Sequence, residues 1–383
     1  MDNIETQNLL DMIKHLRDDM HYPWRDIADV INEEFGYSFS LSKYKSQYSR
    51  AKLKEEEQDD EEDQILAYID QQKEKVKGRD ILNQTNAYIR RLSREDTIKE
   101  IALECAKEMS SKKLLPVYFE SDCESKGENK AILCISDWHY GIEFSNYWNT
   151  FNPEIAKQRI AKLCDKTIEY GLKNGVNQLF VVNLSDLIAG RIHAQIRYQS
   201  RVDVITQTIE ISEILAEFLT NLSKYFKVEY RDCLDNHSRL EPNKGDSLDL
   251  ESLVRITTWY LKERLKNTDI GVHENLFGED IASFKVFEHK ICAVHGHKDR
   301  PDNVIKNLTL MTQEHWDLIL TAHRHHFSAD ESNECLVISN GSLMGTDTYA
   351  ANLRLSSKPT QNLIIVSRDN VAESIYRIIV EEN

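Results

Sequence analysis

The chain has 383 residues, 13 glycines, six prolines and a formal net charge of −16. Its length points to two or three domains, and its sparse glycine and proline exclude a collagenous or low-complexity protein. No stretch approaches the roughly 18 uninterrupted apolar residues of a membrane-spanning helix, and the start, MDNIETQNLLDMIKHLRDD, lacks a signal peptide's basic head and apolar centre, so a cytoplasmic protein without a membrane partner is expected.

Apolar Leu9, Leu10, Ile13 and Leu16 fit one helix face, and Trp24, Ile27, Ala28 and Ile31 fit another. Pro23 stands at the start of the second helix and Gly36 at its end. Ser40 is placed to cap a third helix carrying Lys43, Lys45, Gln47, Arg50 and Lys52. The stretch from Gly36 to Lys54 has five Lys or Arg and no acid, whereas EEEQDDEEDQ, Glu55 to Gln64, has eight acids in ten residues. Such a run cannot bury itself and is a solvated helix surface or a linker. A helical pattern resumes from Ile65 to about Met109, a spacer or an oligomerising helix pair without identifiable chemistry.

From Lys130 onward, apolar strand-like runs alternate with amphipathic helical stretches: AILCIS, a helix near 154–172, QLFVVNL, a helix near 203–224, FKVEYRD and a helix near 248–265. Mostly strands follow: SFKVFEHK, KICAVHG, DLILTA, CLVISNG, NLIIVS and ESIYRII. This order predicts an α/β layered domain with mixed sheets, whose functional residues gather where strands end. The seven cysteines are scattered and form no C-x-x-C pair, so they read as buried thiols rather than a disulfide frame or zinc knuckle.

The unusual residues fall at those strand ends. AILCIS leads to Asp137 and His139, QLFVVNL to Asp186, and FKVEYRDCL to Asn236 and His237. KICAVHGHKD supplies His295 and His297, and DLILTAHRHH supplies His323, His325 and His326. Each piece alone is ordinary turn punctuation. Together they hold seven of the 13 histidines, each set following an apolar run. Imidazole mixed with carboxylate suits manganese, iron or zinc over magnesium or calcium.

The order D-x-H, [G/S]-D, N-H, H-G, [G/A]-H-x-H resembles the calcineurin-like binuclear metallophosphoesterases, which include the Mre11/SbcD nucleases. The resemblance covers roughly residues 130–345. The segments LSDLIAGRIH, DNHSR and NGSLMGTD look like a phage-encoded, DNA-repair-exonuclease-like group, which would place the protein in a host's cytoplasm. The resemblance implies a four-layer sandwich, two mixed β-sheets flanked by helices, over 127–383. Asp137, His139 and His325 would hold one divalent ion and Asn236, His295 and His323 the other, with Asp186 bridging a gap of ~3.5–4 Å. The implied pair is most readily manganese, with iron or zinc as alternatives. A hydroxide between the ions would attack the phosphate, and His237 would donate a proton to the leaving group, worth about 10²–10⁴-fold. His297 is the alternative to His295, and His326 is spare.

Three departures from the family's spelling stand out. Ser185, Asp235 and Ala322 replace glycines, Asp235 adds a carboxylate, and Ser238 replaces the acid that would orient His237. Arg191, His193, Arg197, Arg201 and Arg239 lie in the loops after the second and third motifs, as phosphate contacts or as partners of local acids; Arg191, His193 and Arg239 are the substrate-binding candidates. Asn340, Gly341 and Ser342 are placed to line the pocket.

The W-x-x-I-A spacing of the N-terminal helices resembles Myb-like helix-turn-helix modules. That implies a DNA-binding domain over 1–54, with Lys43, Lys45, Gln47, Arg50 and Lys52 facing DNA; the other reading is a small module that docks a protein. Residues 55–126 form the acidic linker and helical spacer, a candidate site of homo-oligomerisation. The leading expectation is a metal-dependent phosphodiesterase, a DNA nuclease recruited by its N-terminal module. Alternatives are a small-molecule phosphatase or cyclic-nucleotide phosphodiesterase, and a non-catalytic DNA-binding regulator with a structural metal domain.

Overall fold

A computed structural model describes residues 3–111 and 127–381, and the chain divides into two compact units, Met1–Leu92 and Ser93–Asn383. In the first, α1 (Asn3–Lys14) ends in a π-helical turn at His15–Asp19, α2 spans Trp24–Phe35, and α3 begins at Leu41 and runs to Ser111. Leu9, Ile13, Leu16, Ile27, Ala28, Ile31 and Tyr44 make a small closed core. Gly36 ends α2 in the left-handed conformation (φ 66°), donating its N–H to the Asn32 carbonyl.

The third helix differs from the expectation of a short one. It continues without a break through position 54 and the acidic run, so the segment 55–111 is neither a flexible linker nor a helix pair. Glu, Gln and Lys are good helix formers, and pairs such as Lys73–Asp70 and Lys77–Glu74 offset like-charge repulsion one turn away. Of the two readings of the acidic run, a solvated helix surface and a linker, the structure takes the helix.

The second unit contains β1 (Asn129–Ile135), a short ribbon of β2 (Phe144–Ser145) and β3 (Thr150–Phe151), α4 (Pro153–Lys173), β4 (Val176–Asn183), α5 (Ala194–Gln199), α6 (Val204–Ser223), β5 (Lys227–Asp232), α7 (Val254–Leu265) and β6 (Gly271–Val272). There follow β7 (Ala282–Val286), β8 (His289–Ala293), α8 (Val304–Thr312), β9 (Leu318–Thr321), β10 (Ser328–Ser332), β11 (Cys335–Ser339), α9 (Thr348–Asn352), β12 (Thr360–Val366) and β13 (Ser374–Ile379). One sheet runs β13-β12-β1-β4-β5-β6 and the other β10-β11-β9-β8-β7. Both are mixed: β1, β4, β5 and β6 are parallel, as are β8, β9 and β11, with antiparallel strands at the margins.

The period of two in each strand decides the layers. Ile132, Cys134, Phe180, Val182, Ile364 and Val366 face Phe284, Ile291, Ala293, Leu318, Leu320 and Ile338 of the other sheet. The alternate residues Ala131, Leu133, Ile135, Leu179 and Val181 pack under α4, α6 and α7, while Cys292, Ile319 and Cys335 pack under Val304 and Leu308 of α8. The result is helices, sheet, sheet, helix, the four-layer α/β sandwich expected. Asn152 accepts the Ile155 N–H ahead of α4, and Asp203 accepts those of Ile205 and Thr206 ahead of α6. Edge strand β10, SADES, is exposed throughout and was invisible to hydrophobic patterning.

Candidate metal centre

Parallel pairing aligns the strand ends. Ile135 pairs with Asn183, and Asn183 with Asp232, on one sheet; Ala293 pairs with Leu320 on the other. Each strand then turns into a loop carrying chemistry, so five loops meet at one edge of the sandwich. The first two are laced together: Asp137 N–H donates to the Ser185 carbonyl (2.9 Å), His139 N–H to Asp186 (3.0 Å) and Tyr140 N–H to Leu187 (2.8 Å). Five of the seven expected ligands have left-handed backbone: Asp137 (φ 51°), His139 (45°), Asp186 (53°), His323 (68°) and His325 (59°). Such residues cost about 1–3 kcal/mol each and persist where surroundings over-determine them, typically at functional sites.

Asp137 Oδ1 stands 3.2 Å from His325 Nε2 and 3.9 Å from His139 Nε2, and the two imidazole nitrogens are 3.2 Å apart. In a second group His295 Nε2 lies 3.1 Å from Asp186 Oδ2 and 3.1 Å from Asn236 Oδ1, with His323 completing the cluster. The ligand atoms of His139, Asp186 and His237 also fall within 4.8 Å of one another, so Asp186 stands between the two groups. Two atoms each about 2.1 Å from one ion, at roughly 90–100°, are about 3.0–3.2 Å apart; all of these spacings but the 3.9 Å between Asp137 and His139 fit side chains that could share an ion.

The donors fit divalent cations by a further test. Both carboxylate oxygens of Asp137 and Oδ2 of Asp186 are buried with no hydrogen-bond partner outside the cluster's own imidazoles, His325 and His295, and both residues are fully buried. Burying carboxylate charge is costly, and a cation offsets the cost. Although burial works against it, the surrounding imidazoles hold both carboxyls below their usual range. Burial opposes protonation of His295 too, but Asp186, Asp137 and Asp235 raise it to about 10, and Asp137 and Asp186 likewise raise His325. Each group thus holds one imidazole poised as a cation where an ion's charge belongs. Burial and neighbouring imidazoles lower His139 well below its usual value and His323 to about 4, leaving them neutral, the ligating form.

His237 Nδ1 is 2.8 Å from the Ala189 carbonyl. A carbonyl only accepts, so Nδ1 carries a proton and Nε2 is the free position, 3.9 Å from Asp186 Oδ2. The backbone oxygen of Ala189 thereby orients this ring in place of the missing acid at Ser238. Gly190 permits the approach: it has φ 68°, and a Cβ there would lie 2.0 Å from the His237 carbonyl oxygen. Asp235 accepts the N–H of Asp186 (2.8 Å) and both the N–H (2.7 Å) and hydroxyl (2.9 Å) of Ser238. The extra carboxylate is therefore a clamp on the left-handed turn of Asp186.

His297 lies beside His295 and His323, ring centroids 5.4 and 6.3 Å away, while His326 is exposed with Nδ1 on the Arg324 carbonyl. Arg191 and Arg239 are half-buried, and the Nε of each is buried without an acceptor; Arg239 Nη2 donates to the Pro242 carbonyl. Burial and the charges of His237 and Arg239 depress the His193 pKa. Arg201 is spent on Glu143 and Glu154. Asn340, Gly341 and Ser342 do not line the pocket as expected. Asn340 Nδ2 donates to Ser136 Oγ (2.9 Å), Ser342 Oγ to the Asp137 carbonyl (2.9 Å), and both side chains are buried. They brace the Asp137 loop from behind, together with buried Gln361, which accepts from Ser136 N and Trp138 Nε1 and donates to the Ser136 and Gly341 carbonyls. Gln361 carried no signal in sequence, because it stands between polar Thr360 and Asn362, just ahead of the apolar run of β12.

In the N-terminal unit Tyr44 is buried, which orients α3. Lys43, Gln47 and Arg50 then share one face, and Lys45 and Lys52 lie on the opposite one. Lys43 Nζ sits 3.0 Å over the Phe39 ring, Lys52 Nζ 5.7 Å from the Tyr48 ring, and the Gln47 Oε1 is buried without a donor.

No family model matches this chain. It is 26% identical over 360 residues to an SPbeta prophage-derived uncharacterized protein, YonJ, of Bacillus subtilis strain 168, covering 89% of this chain and 88% of that protein. Similar solved structures include an archaeal phosphodiesterase (14% identity, 65% of this chain and 99% of that one, TM-score 0.34). Zinc-complexed Vps29 of Entamoeba histolytica is another (11%, 66% and 99%, 0.32), as is a predicted phosphoesterase of Streptococcus pneumoniae TIGR4 (12%, 65% and 98%, 0.28). Among the described residues no helix is long and apolar enough to cross a membrane.

Proposed function

We propose that this chain is a metal-dependent phosphodiesterase of the calcineurin-like metallophosphoesterase kind, and that its substrate is DNA. One observation carries the reading: Asp137, His139 and His325 form one buried cluster, Asp186, His295 and His323 another, and Asp186 also lies within reach of His139, so that two groups of imidazole and carboxylate adjoin. Asp137, His139 and His325 would hold one divalent ion, and Asn236, His295 and His323 the other, with Asp186 between; the mixed nitrogen and oxygen donors favour manganese, iron or zinc. Such ions supply charge neutralisation at the phosphate and a nucleophile from water near neutral pH.

The chain's own groups do the rest. His237 keeps its Nδ1 proton on the Ala189 carbonyl, and as the imidazolium it would give its second proton, on Nε2, to the leaving oxygen of a diester and end as the neutral Nδ1–H ring. The half-buried guanidinium groups of Arg191 and Arg239, with His193 near Arg239, are the candidates for the phosphate's outer oxygens. In the N-terminal unit, the face of Lys43, Gln47 and Arg50 suits a DNA groove, and Lys45 and Lys52 suit flanking phosphates. Exposed Leu66, Ile69, Val76, Ile81, Leu82 and Ile89 along α3 support self-association of a second copy through this helix.

The test is metal content and turnover on the full chain. Elemental analysis should find two divalent ions per chain, falling in Asp186→Asn. With Mn²⁺, purified protein should cleave DNA and an aryl phosphodiester, and Asp186→Asn should do neither. Hydrolysis of small esters alone would replace the nuclease reading with a small-molecule phosphodiesterase. A metal-free protein with undiminished turnover would end the proposal.

A further inference from the structure

The ribbon of β2 and β3 exposes two large aromatic side chains, Tyr147 at 93% and Trp148 at 56%. Their ring centroids are 5.6 Å apart and the planes nearly perpendicular (84°), so the two rings present faces in different directions. Tyr198, 90% exposed at the end of α5, belongs to a neighbouring segment: the Gln199 carbonyl accepts the Glu143 N–H and Arg201 N–H donates to Gly141. Leaving such rings in water forgoes about 1.5–3 kcal/mol of burial each.

A two-stranded ribbon is marginal by itself, and this one is held firmly. Asn146 Oδ1 accepts the N–H groups of Trp148 and Asn149, and Asn149 Nδ2 donates to the Met344 carbonyl (2.8 Å). Buried Arg159 spends its guanidinium on Asn149 Oδ1 (2.9 Å) and on the Leu343 and Met344 carbonyls (3.1 and 2.7 Å). Met344 N–H donates to the carbonyl of Asp137 (3.3 Å), a candidate ligand. A short chain of hydrogen bonds therefore fixes the aromatic pair relative to the metal centre.

We propose that Tyr147 and Trp148, on a ribbon tied through Asn149 and Met344 to the Asp137 loop, form a nucleobase-stacking platform, and that its occupant is a single strand of nucleic acid. This deepens the phosphodiesterase reading and rests on it. Rigid exposed rings stack on any base of an unpaired strand, and each such contact carries about 1–3 kcal/mol. Bases in a duplex present no free face, so the platform selects ends, loops and displaced strands.

The experiment uses the full chain in EDTA, so that binding is read without cleavage. A labelled thymidine hexamer is compared with an abasic hexamer of equal length. Phosphate contacts are common to both, and the ratio of affinities isolates stacking. The wild type should prefer the base-bearing strand by about tenfold or more. Joint replacement Tyr147→Ala and Trp148→Ala should bring the ratio to near one. Trp148→Phe, which keeps a ring, should retain most of it, and Trp259→Ala, removing an exposed ring on α7, should leave it intact. A uridine hexamer separates an RNA preference from a DNA preference. An unchanged ratio in the double variant, or none in the wild type, overturns the platform. So does a native mass that halves in the double variant, which would make the patch a protein interface. Hydrolysis of an aryl phosphodiester by the wild type with Mn²⁺, measured separately, reports on the phosphodiesterase reading alone.

Discussion

The two units use side chains in opposite ways. In the N-terminal unit the polar residues of interest stand on the outside of a helix, and the core beneath them is a handful of apolar side chains. In the α/β unit they occupy left-handed loops at the ends of strands buried on both faces, and every ligand loop leans on another loop. A helix face tolerates substitution because its backbone bonds are internal; a loop site depends on tertiary bonds that the rest of the fold must supply. Chemistry and stability are therefore separable in the first unit and joined in the second.

The largest effect should come at His237. His237→Ala should lower turnover of a diester with an alkoxide leaving group by about 10²–10⁴-fold, and much less for an aryl leaving group, which departs without a proton. Steady-state rates on the two esters check this; equal losses would mean that the ring positions Asp186 rather than donating a proton. Next, Trp138→Ala should cost about 3–5 kcal/mol, because the indole is fully buried beside a ligand and bonded to Gln361. Metal affinity should fall with it. A chemical-denaturation curve and metal titration that separate the two would break the joining of fold and site.

Asp232 sharpens the comparison through pH. It is buried under the site loops and accepts from Tyr230 and Thr258, and burial raises it to about 6. A carboxyl raised in the folded state favours folding while protonated, so its contribution is present below about pH 4 and lost as pH rises through about 6. Asp232→Asn should therefore stabilise the protein at pH 8, by on the order of 3 kcal/mol, and leave it little changed at pH 4; thermal unfolding at both values decides. The smallest effect belongs to the helical unit. Arg50→Ala should change stability by no more than about 0.5 kcal/mol yet reduce the salt dependence of DNA binding by about one unit of slope. An unfolding shift as large as that of Trp138→Ala would erase the contrast.

Sequence alone was enough for the alternation of strands and helices, and for the layers, because a period of two declares which faces are buried. Residue types gathered after apolar strands marked Asp137, His139, Asp186, Asn236, His237, His295, His297, His323, His325 and His326 as candidates. Only the resemblance of the motif order implied which of them would be ligands; the structure brings Asp137, His139 and His325 together, and Asp186, His295 and His323 together. Sequence did not reach what acts across distance. That the Ala189 carbonyl holds His237, that Asp235 clamps Asp186, and that Gln361 and Asn340 brace the Asp137 loop are pairings between segments 48–225 positions apart, and no local pattern encodes them. Nor did residue types decide between helix and linker for the acidic run, or reveal that Tyr147 and Trp148 stand clear of the core. Periodicity reports which side of an element is wet or dry; which partner a polar atom meets there is decided only when the strands have aligned their ends.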